Sequence, residues 1–214
     1  MDKVVVAETI KNIYQDGMTI MIGGFMECGS PYQLIDLLLE ENIQDIVLIA
    51  NDTGFTDKKF GSLILKKRVK KVIASHIGLN IETGKQMNEG KIEVELIPQG
   101  TLAERIRAYG AGLGGVYTPT GVGTVVADNK EKKIINGKEY LLELPLGADL
   151  ALIKAWKADC SGNLIYRKTA RNFNPIMAMA AKTVIVEAEE IVATGDIDPD
   201  DVMTPGIFVD YILK

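Results

Sequence analysis

Short apolar runs of strand length alternate along this chain with stretches whose apolar residues recur at helical spacing. Val6, Ile10, Ile13 and Tyr14 predict a short amphipathic helix over 4–15. Asp16-Gly17 ends it, and Met18-Thr19-Ile20-Met21-Ile22 reads as the first strand. A flexible loop from Gly23 to Gly29 follows, with Ser30 expected as N-cap and Pro31 at the first helical position, where its missing N–H costs nothing. Leu34, Ile35, Leu38 and Leu39 give that helix a buried face.

The unit then recurs. Ile46 to Ala50 is a continuous apolar run, as expected of a parallel strand buried on both faces, and Val72-Ile73-Ala74 is a shorter one. Lys91 to Ile97 alternates polar and apolar, which predicts a half-exposed or edge strand. A helix carrying Leu102 and Ile106 follows Gln99-Gly100-Thr101, and residues 149–153 and 182–187 are further buried strands. Strands alternating with helices predict an α/β fold with a largely parallel sheet, in one domain over 1–214. Residues 124–144 break the rhythm: Asp128-Asn129 and Asn136-Gly137 are turn signals, and a β-hairpin excursion is expected there. There is no internal repeat and no low-complexity segment.

Composition narrows the class of function. With 214 residues, 47% apolar and 25% charged, the chain has the make-up of an ordinary globular domain. Its net charge of -5 lacks the basic footprint of nucleic-acid binding. Charges interrupt the first seventeen residues, so no secretory signal is expected, and no apolar run approaches a membrane span. Cys28 and Cys160 are the only cysteines and His76 the only histidine, which argues against a disulfide framework or a metal site. A cytoplasmic protein is expected.

Several residues are candidates for chemistry. Gly23-Gly24-Phe25-Met26-Glu27-Cys28-Gly29 joins a strand to a helix start, a place where backbone N–H groups and a dipole end meet anions. Its spacing matches neither a dinucleotide fingerprint nor a P-loop, so a tight turn without ligand stands beside the binding reading. Gln99, just after a strand, either donates its amide to an oxyanion or caps the following helix. Six glycines between Gly110 and Gly123 suggest a functional loop, a subunit contact or simple mobility. His76 closes a strand at the carboxyl edge of the sheet, where a general base could act, but without a partner for a triad it reads rather as a hydrogen-bonded structural residue. Cys28 has no basic neighbour in sequence and reads as a packed or inert thiol rather than a nucleophile. Arg171-Asn172-Phe173-Asn174-Pro175 is a polar prelude to a helix at 175–181, with Asn174 explicable as a cap. Glu187, Glu189 and Glu190 look like a solvated helix start.

Taken together, Asp16 to Phe25, Gly29-Ser30-Pro31, Ala50-Asn51-Asp52, Glu82-Thr83-Gly84, Ile92 to Arg107, Gly110-Ala111-Gly112, Thr118-Pro119-Thr120-Gly121 and Ala170 to Pro175 carry a family signature. The chain resembles, over essentially its whole length, the A (alpha) subunit of class I CoA-transferases, which include acetate/butyrate–acetoacetate and succinyl–3-oxoacid enzymes. Tyr109 departs from the pattern, where the family run leads one to expect glycine. The resemblance implies a three-layer α/β/α fold of the CoA-transferase (NagB/RpiA-like) type. It implies ping-pong exchange of CoA between an acyl-CoA and a carboxylate, with coenzyme A as substrate and no tightly bound cofactor. The nucleophilic glutamate of that chemistry belongs to a Ser-Glu-Asn-Gly motif in the B subunit. Here only Met87-Asn88-Glu89-Gly90 approaches it, with the order wrong, so a B-subunit partner in a hetero-oligomer is expected. The resemblance assigns Gln99 to polarising the thioester carbonyl and the loop Gly23 to Gly29 to CoA. A sugar-phosphate isomerase or sensing domain on the same fold is the alternative, and a non-catalytic assembly protein a third.

Overall fold

The computed structural model describes residues 2–214. Its strands are β1 (Val4–Val5), β2 (Thr19–Ile22), β3 (Ile46–Asp52), β4 (Val69–His76), β5 (Glu93–Leu96), β6 (Val116–Thr118), β7 (Lys132–Ile135), β8 (Lys138–Glu143), β9 (Ala148–Asp159), β10 (Leu164–Ile165), β11 (Ala181–Val192) and β12 (Tyr211–Leu213). Its helices are α1 (Ala7–Lys11), α2 (Tyr32–Glu40), α3 (Ser62–Leu65), α4 (Ile81–Asn88), α5 (Gln99–Gly110) and α6 (Asn174–Ala178).

Eight strands form a parallel sheet in the order β1-β12-β11-β9-β2-β3-β4-β5, and β10 pairs antiparallel with β9. Alternate residues of each central strand enter two separate cores. Ile20, Ile22 and Leu48 pack with Leu34, Ile35 and Leu38 of α2 on one face. Met21, Ile49 and Ile153 pack with Leu102 and Ile106 of α5 on the other. Each such aliphatic side chain contributes about 1.5–3 kcal/mol on burial. This explains why these strands read as unbroken apolar runs, and it gives the expected α/β/α layering.

Successive strands β2 to β5 run outward on one side, and the chain then returns through β9 to the other side of β2. The order therefore reverses between β2 and β9, and at such a reversal the loops leaving the carboxyl ends open a crevice.

The expected hairpin is β7–β8, turning at Asn136-Gly137 with φ of 49° and 78°, as a two-residue type I′ turn requires. β6 adds a third antiparallel strand to it. Three expectations change. The first helix is shorter, because Val4 and Val5 pair with Ile212 and Leu213 instead of coiling. The helix expected at 175–181 ends at Ala178, and Ala181 already starts β11. The acids after Val186 do not start a helix: β11 continues, with Glu187 opposite Lys154 and Glu190 opposite Lys157 in register. Opposite charges across strands are favourable, and they let two twelve-residue strands extend beyond their apolar cores.

Gly84 sits inside α4 with open space where a Cβ would be. Gly84→Ala is expected to raise stability by about 0.5–1 kcal/mol, measured by urea unfolding.

Candidate active site at the carboxyl edge of the sheet

β2 ends as the N–H of Gly23 donates to the Leu152 carbonyl of β9 at 2.9 Å. The chain then makes a two-residue hairpin at the crevice. Phe25 and Cys28 exchange N–H···O bonds of 3.0 and 2.9 Å around Met26 and Glu27. Both turn residues have left-handed backbones, with φ of 45° and 71°. Asn or Gly usually takes these positions, and for other residues the conformation costs about 1–2 kcal/mol each. The turn thrusts Phe25 and Met26 outward, 40% and 46% exposed.

Side chains from distant elements hold this strained loop. The Met26 N–H donates to the Asp52 carboxylate at 2.9 Å, and the Gly24 N–H to Asn172 Oδ1 at 3.2 Å. Asn172 Nδ2 donates to the Cys28 carbonyl at 2.9 Å. Asn174 donates to the Gly29 and Ala170 carbonyls at 3.0 and 2.9 Å while accepting from the Lys154 N–H at 3.0 Å. Asn174 is thus no helix cap; it is a fully buried clamp between the loop, β9 and the segment before α6.

The start of α2 also differs from expectation. Ser30 does not cap it, and its buried hydroxyl has no partner among the described residues. The cap comes from Glu187, 3% exposed, whose Oε2 accepts from the N–H groups of Gln33 and Leu34 at 2.7 and 3.4 Å. Lys154 Nζ lies 2.9 Å from the other carboxylate oxygen. This carboxylate fills the anion position at the helix end, so a ligand phosphate cannot use it. Burial and the neighbouring Glu27 push the Tyr32 phenol up to about 12, and its protonated hydroxyl donates to the Glu27 carbonyl at 3.2 Å.

Gln99 is the first residue of α5 and is exposed. It does not cap its helix; Nε2 donates to Asn51 Oδ1 at 2.7 Å. Asn51 Nδ2 in turn donates to Asp52 Oδ2 at 2.7 Å, so the Asn51 oxygen must face Gln99 and the Ser75 hydroxyl. The same Asp52 oxygen receives the Met26 N–H. One buried Asn–Asp pair therefore joins the two sites singled out in the sequence. It fixes the Gln99 amide with its nitrogen inward and leaves the second N–H of that amide without a partner in the described chain.

Other candidates fall elsewhere. His76 ends β4 at the same edge, but it is exposed and its side chain makes no hydrogen bond among the described residues, so the structural role expected of it is not realised. Cys28 is exposed rather than packed, with Sγ 3.6 Å from the Thr169 hydroxyl. Glu89 lies between α4 and β5, at the opposite edge of the sheet from Gln99, and Lys91 bonds it and holds its carboxyl below the usual range. Two clefts flank the loop and Gln99. One of about 460 Å³ includes Glu27, Lys154, Trp156, Arg167, Lys168 and Glu189. Another of about 480 Å³ lies between the start of α5 and β6. The glycine-rich stretch leads from α5 into β6, with Ala111 to Gly114 exposed and Val116 to Thr118 walling the second cleft. Among the described residues no cluster of metal-ligating side chains occurs and no helix is long and apolar enough to cross a membrane.

Asn51, Asp52, Glu187 and the paired roles of Asn172 and Asn174 were not assigned by sequence reasoning. Two signals were available: Ala50-Asn51-Asp52 and Ala170 to Pro175 belong to the family signature, which gave them no role, and Asn51-Asp52 follows a buried apolar run, where polar residues mark the carboxyl end of a strand.

Comparison with known proteins gives the family and the fold. The chain is 53% identical over 211 residues to the acetate CoA-transferase subunit alpha of Escherichia coli, covering 99% of this chain and 96% of that one. It is 54% identical over 212 residues to the acetoacetyl-CoA:acetate/butyrate CoA transferase alpha subunit of Clostridium acetobutylicum, covering 99% and 97%. The fold matches glutaconate coenzyme A-transferase from Acidaminococcus fermentans with a TM-score of 0.87 at 22% identity, over 99% of this chain and 75% of that one. It also matches an Escherichia coli acyl-CoA transferase in its thioester complex with CoA, with a TM-score of 0.89 at 21% identity, over 99% of this chain but only 49% of that one. These relatives support the CoA-transferase resemblance and lend nothing to the isomerase alternative. The coenzyme A transferase family model matches residues 4–214, and the chain belongs to that family.

Proposed function

We propose that this chain is the half of a two-subunit CoA-transferase that polarises the thioester and walls the acyl-CoA site, while a B subunit supplies the nucleophile. The observation that carries the reading is the Gln99 amide, fixed through Asn51 and Asp52 and tied to the strained loop at Met26. A preorganised amide N–H aimed at a developing oxyanion stabilises the charge without reorganising at the moment of reaction.

The exchange then runs in two halves. A glutamate oxygen of the partner attacks the thioester carbon, and the C–S bond breaks to give an acyl anhydride and CoA thiolate. The thiolate attacks the glutamyl carbonyl, releasing the first carboxylate and leaving a glutamyl-CoA thioester. The acceptor carboxylate reverses both steps and departs as the new acyl-CoA. Gln99 donates to the carbonyl oxygen each time it becomes anionic. The backbone from Gly23 to Gly29 lines the path of the thioester, a role supported by its place at the crevice and not by the end of α2. Short-chain acids such as acetate, butyrate and acetoacetate are the proposed carboxylates. Two unpaired cysteines suit a reducing cytoplasm, where this exchange would take place.

Mixing the purified chain with its B subunit tests this. Exchange between acetyl-CoA and a panel of short carboxylates is expected in the mixture and in neither subunit alone. Full exchange by this chain alone, or none in the stable complex, would overturn the proposal.

A further inference from the structure

Leu102 and Ile106 bury the inner face of α5, and that burial sets the helix's distance from the sheet. Apolar contact is not directional, so rotation and sliding of the helix are left to its polar ties. Among the described residues only two side chains of α5 reach polar groups outside the helix. One is Gln99 at its start, and the other is Arg105, about two turns further along. No side chain caps the start of α5, so the turn that carries Gln99 has no brace of its own beyond the bond to Asn51.

The Arg105 side chain is 14% exposed, and its guanidinium meets acceptors on both sides of the helix. Nε donates to the Leu144 carbonyl, just past β8, at 2.8 Å, and Nη1 donates to Glu95 Oε1 of β5 at 3.2 Å. The buried Glu143 carboxylate of β8 lies 3.9 Å from Nη1. A backbone bond runs the other way, from the Leu146 N–H to the Arg105 carbonyl at 2.9 Å. Each carboxylate also keeps a lysine of its own: Lys71 lies 3.3 Å from Glu95, and Lys130 lies 2.6 Å from Glu143. Alternating charges thus run from β4 through β5 and α5 to β8 and the segment before β7. Glu95 and Arg105 stand on either side of Gln99 in the chain. Their ion pair closes the connection from β5 to α5 across Ile97-Pro98 and sets where the helix starts relative to Asn51 on β3.

We infer that Arg105 is a positioning residue for Gln99: by locking α5 between β5 and β8, it keeps the amide bonded to Asn51 and aimed at the reacting carbonyl. The inference rests on the CoA-exchange reading and extends the machinery of that reaction to a cluster of charges outside the crevice.

Arg105→Lys keeps the charge but cannot serve acceptors in the fixed directions of the guanidinium fork, and both carboxylates retain their lysines. In the A–B complex it is expected to lower kcat about tenfold, with the KM for acetyl-CoA within about twofold of wild type. In a Gln99→Ala background the same substitution is expected to add almost nothing, because a residue that acts through Gln99 has nothing left to position. Comparable losses in both backgrounds, or a lower unfolding midpoint with kcat unchanged, would overturn the inference. Should the Arg105→Lys complex fail to assemble, Glu95→Gln breaks the same tie at a 38% exposed carboxylate and is held to the same outcomes. A further readout needs no activity. In the isolated chain, the side-chain amide resonances of Gln99 are expected to move toward those of a free glutamine with Arg105→Lys. They should stay put with Arg107→Lys, whose partner Glu104 is on the same helix. Unmoved resonances in Arg105→Lys would also overturn the inference. If the wild-type complex exchanges no CoA, the broader reading fails, and the amide resonances still decide the role of Arg105.

Discussion

Gln99→Ala in the assembled enzyme is expected to lower kcat by about 10²–10³, the usual effect of removing one oxyanion donor. The structure separates this loss from instability. Gln99 is exposed and caps nothing, and without it Asn51 Oδ1 still accepts from the Ser75 hydroxyl at 3.1 Å. The thermal midpoint should therefore move little while turnover collapses, and KM for acyl-CoA should stay near wild type. Gln99→Glu makes the sign explicit, since a carboxylate there repels the developing oxyanion and should be at least as inactive. A variant that loses stability and keeps its turnover would assign Gln99 to the fold. Asn51→Ala is expected to show a weaker form of the same phenotype, because it frees the amide to rotate.

Gly23→Ala is expected to damage both fold and site. A Cβ on Gly23 would sit 1.9 Å from Asn174 Oδ1, the acceptor for the Lys154 N–H. Asn174 cannot yield without releasing Gly29, Ala170 and β9 together, because it bonds all three. Overpacking of this kind costs about 1–3 kcal/mol and sometimes more. Urea unfolding of the chain alone should register that loss, and the variant complex should bind acyl-CoA poorly. Wild-type stability and kinetics would mean that the clamp is dispensable. The backbone of Gly23 is not left-handed, so the effect is one of space.

Much of the fold was legible because the sheet is buried on both faces. Ile46 to Ala50 and Met18 to Ile22 read as strands of a largely parallel sheet, and Asn136-Gly137 as a turn of a β-hairpin, and the structure has them so. Polar residues were misread where their partners lay far away in sequence. Glu187 looked solvated because nothing near it in the chain shows that β11 brings it beneath the start of α2, where it caps N–H groups more than 150 residues earlier. Asn174 looked like a cap because a Pro follows it, whereas its partners are Gly29 and Lys154. The candidate loop and Gln99 were found separately, one through its glycines and the other through its place just after a strand, with the family signature deciding between its two possible roles. Their connection through Asn51 and Asp52 depends on β3 lying between them in the sheet, which only the strand order supplies.

The central claim is that this chain prepares the thioester and another chain attacks it. The direct measurement is to treat the A–B complex with acyl-CoA, reduce the trapped glutamyl thioester with borohydride, and map the modified residue by mass spectrometry. The account predicts a single modified glutamate in the B subunit and an unmodified alpha chain, Glu89 included. A reduced glutamate anywhere in this chain would contradict it.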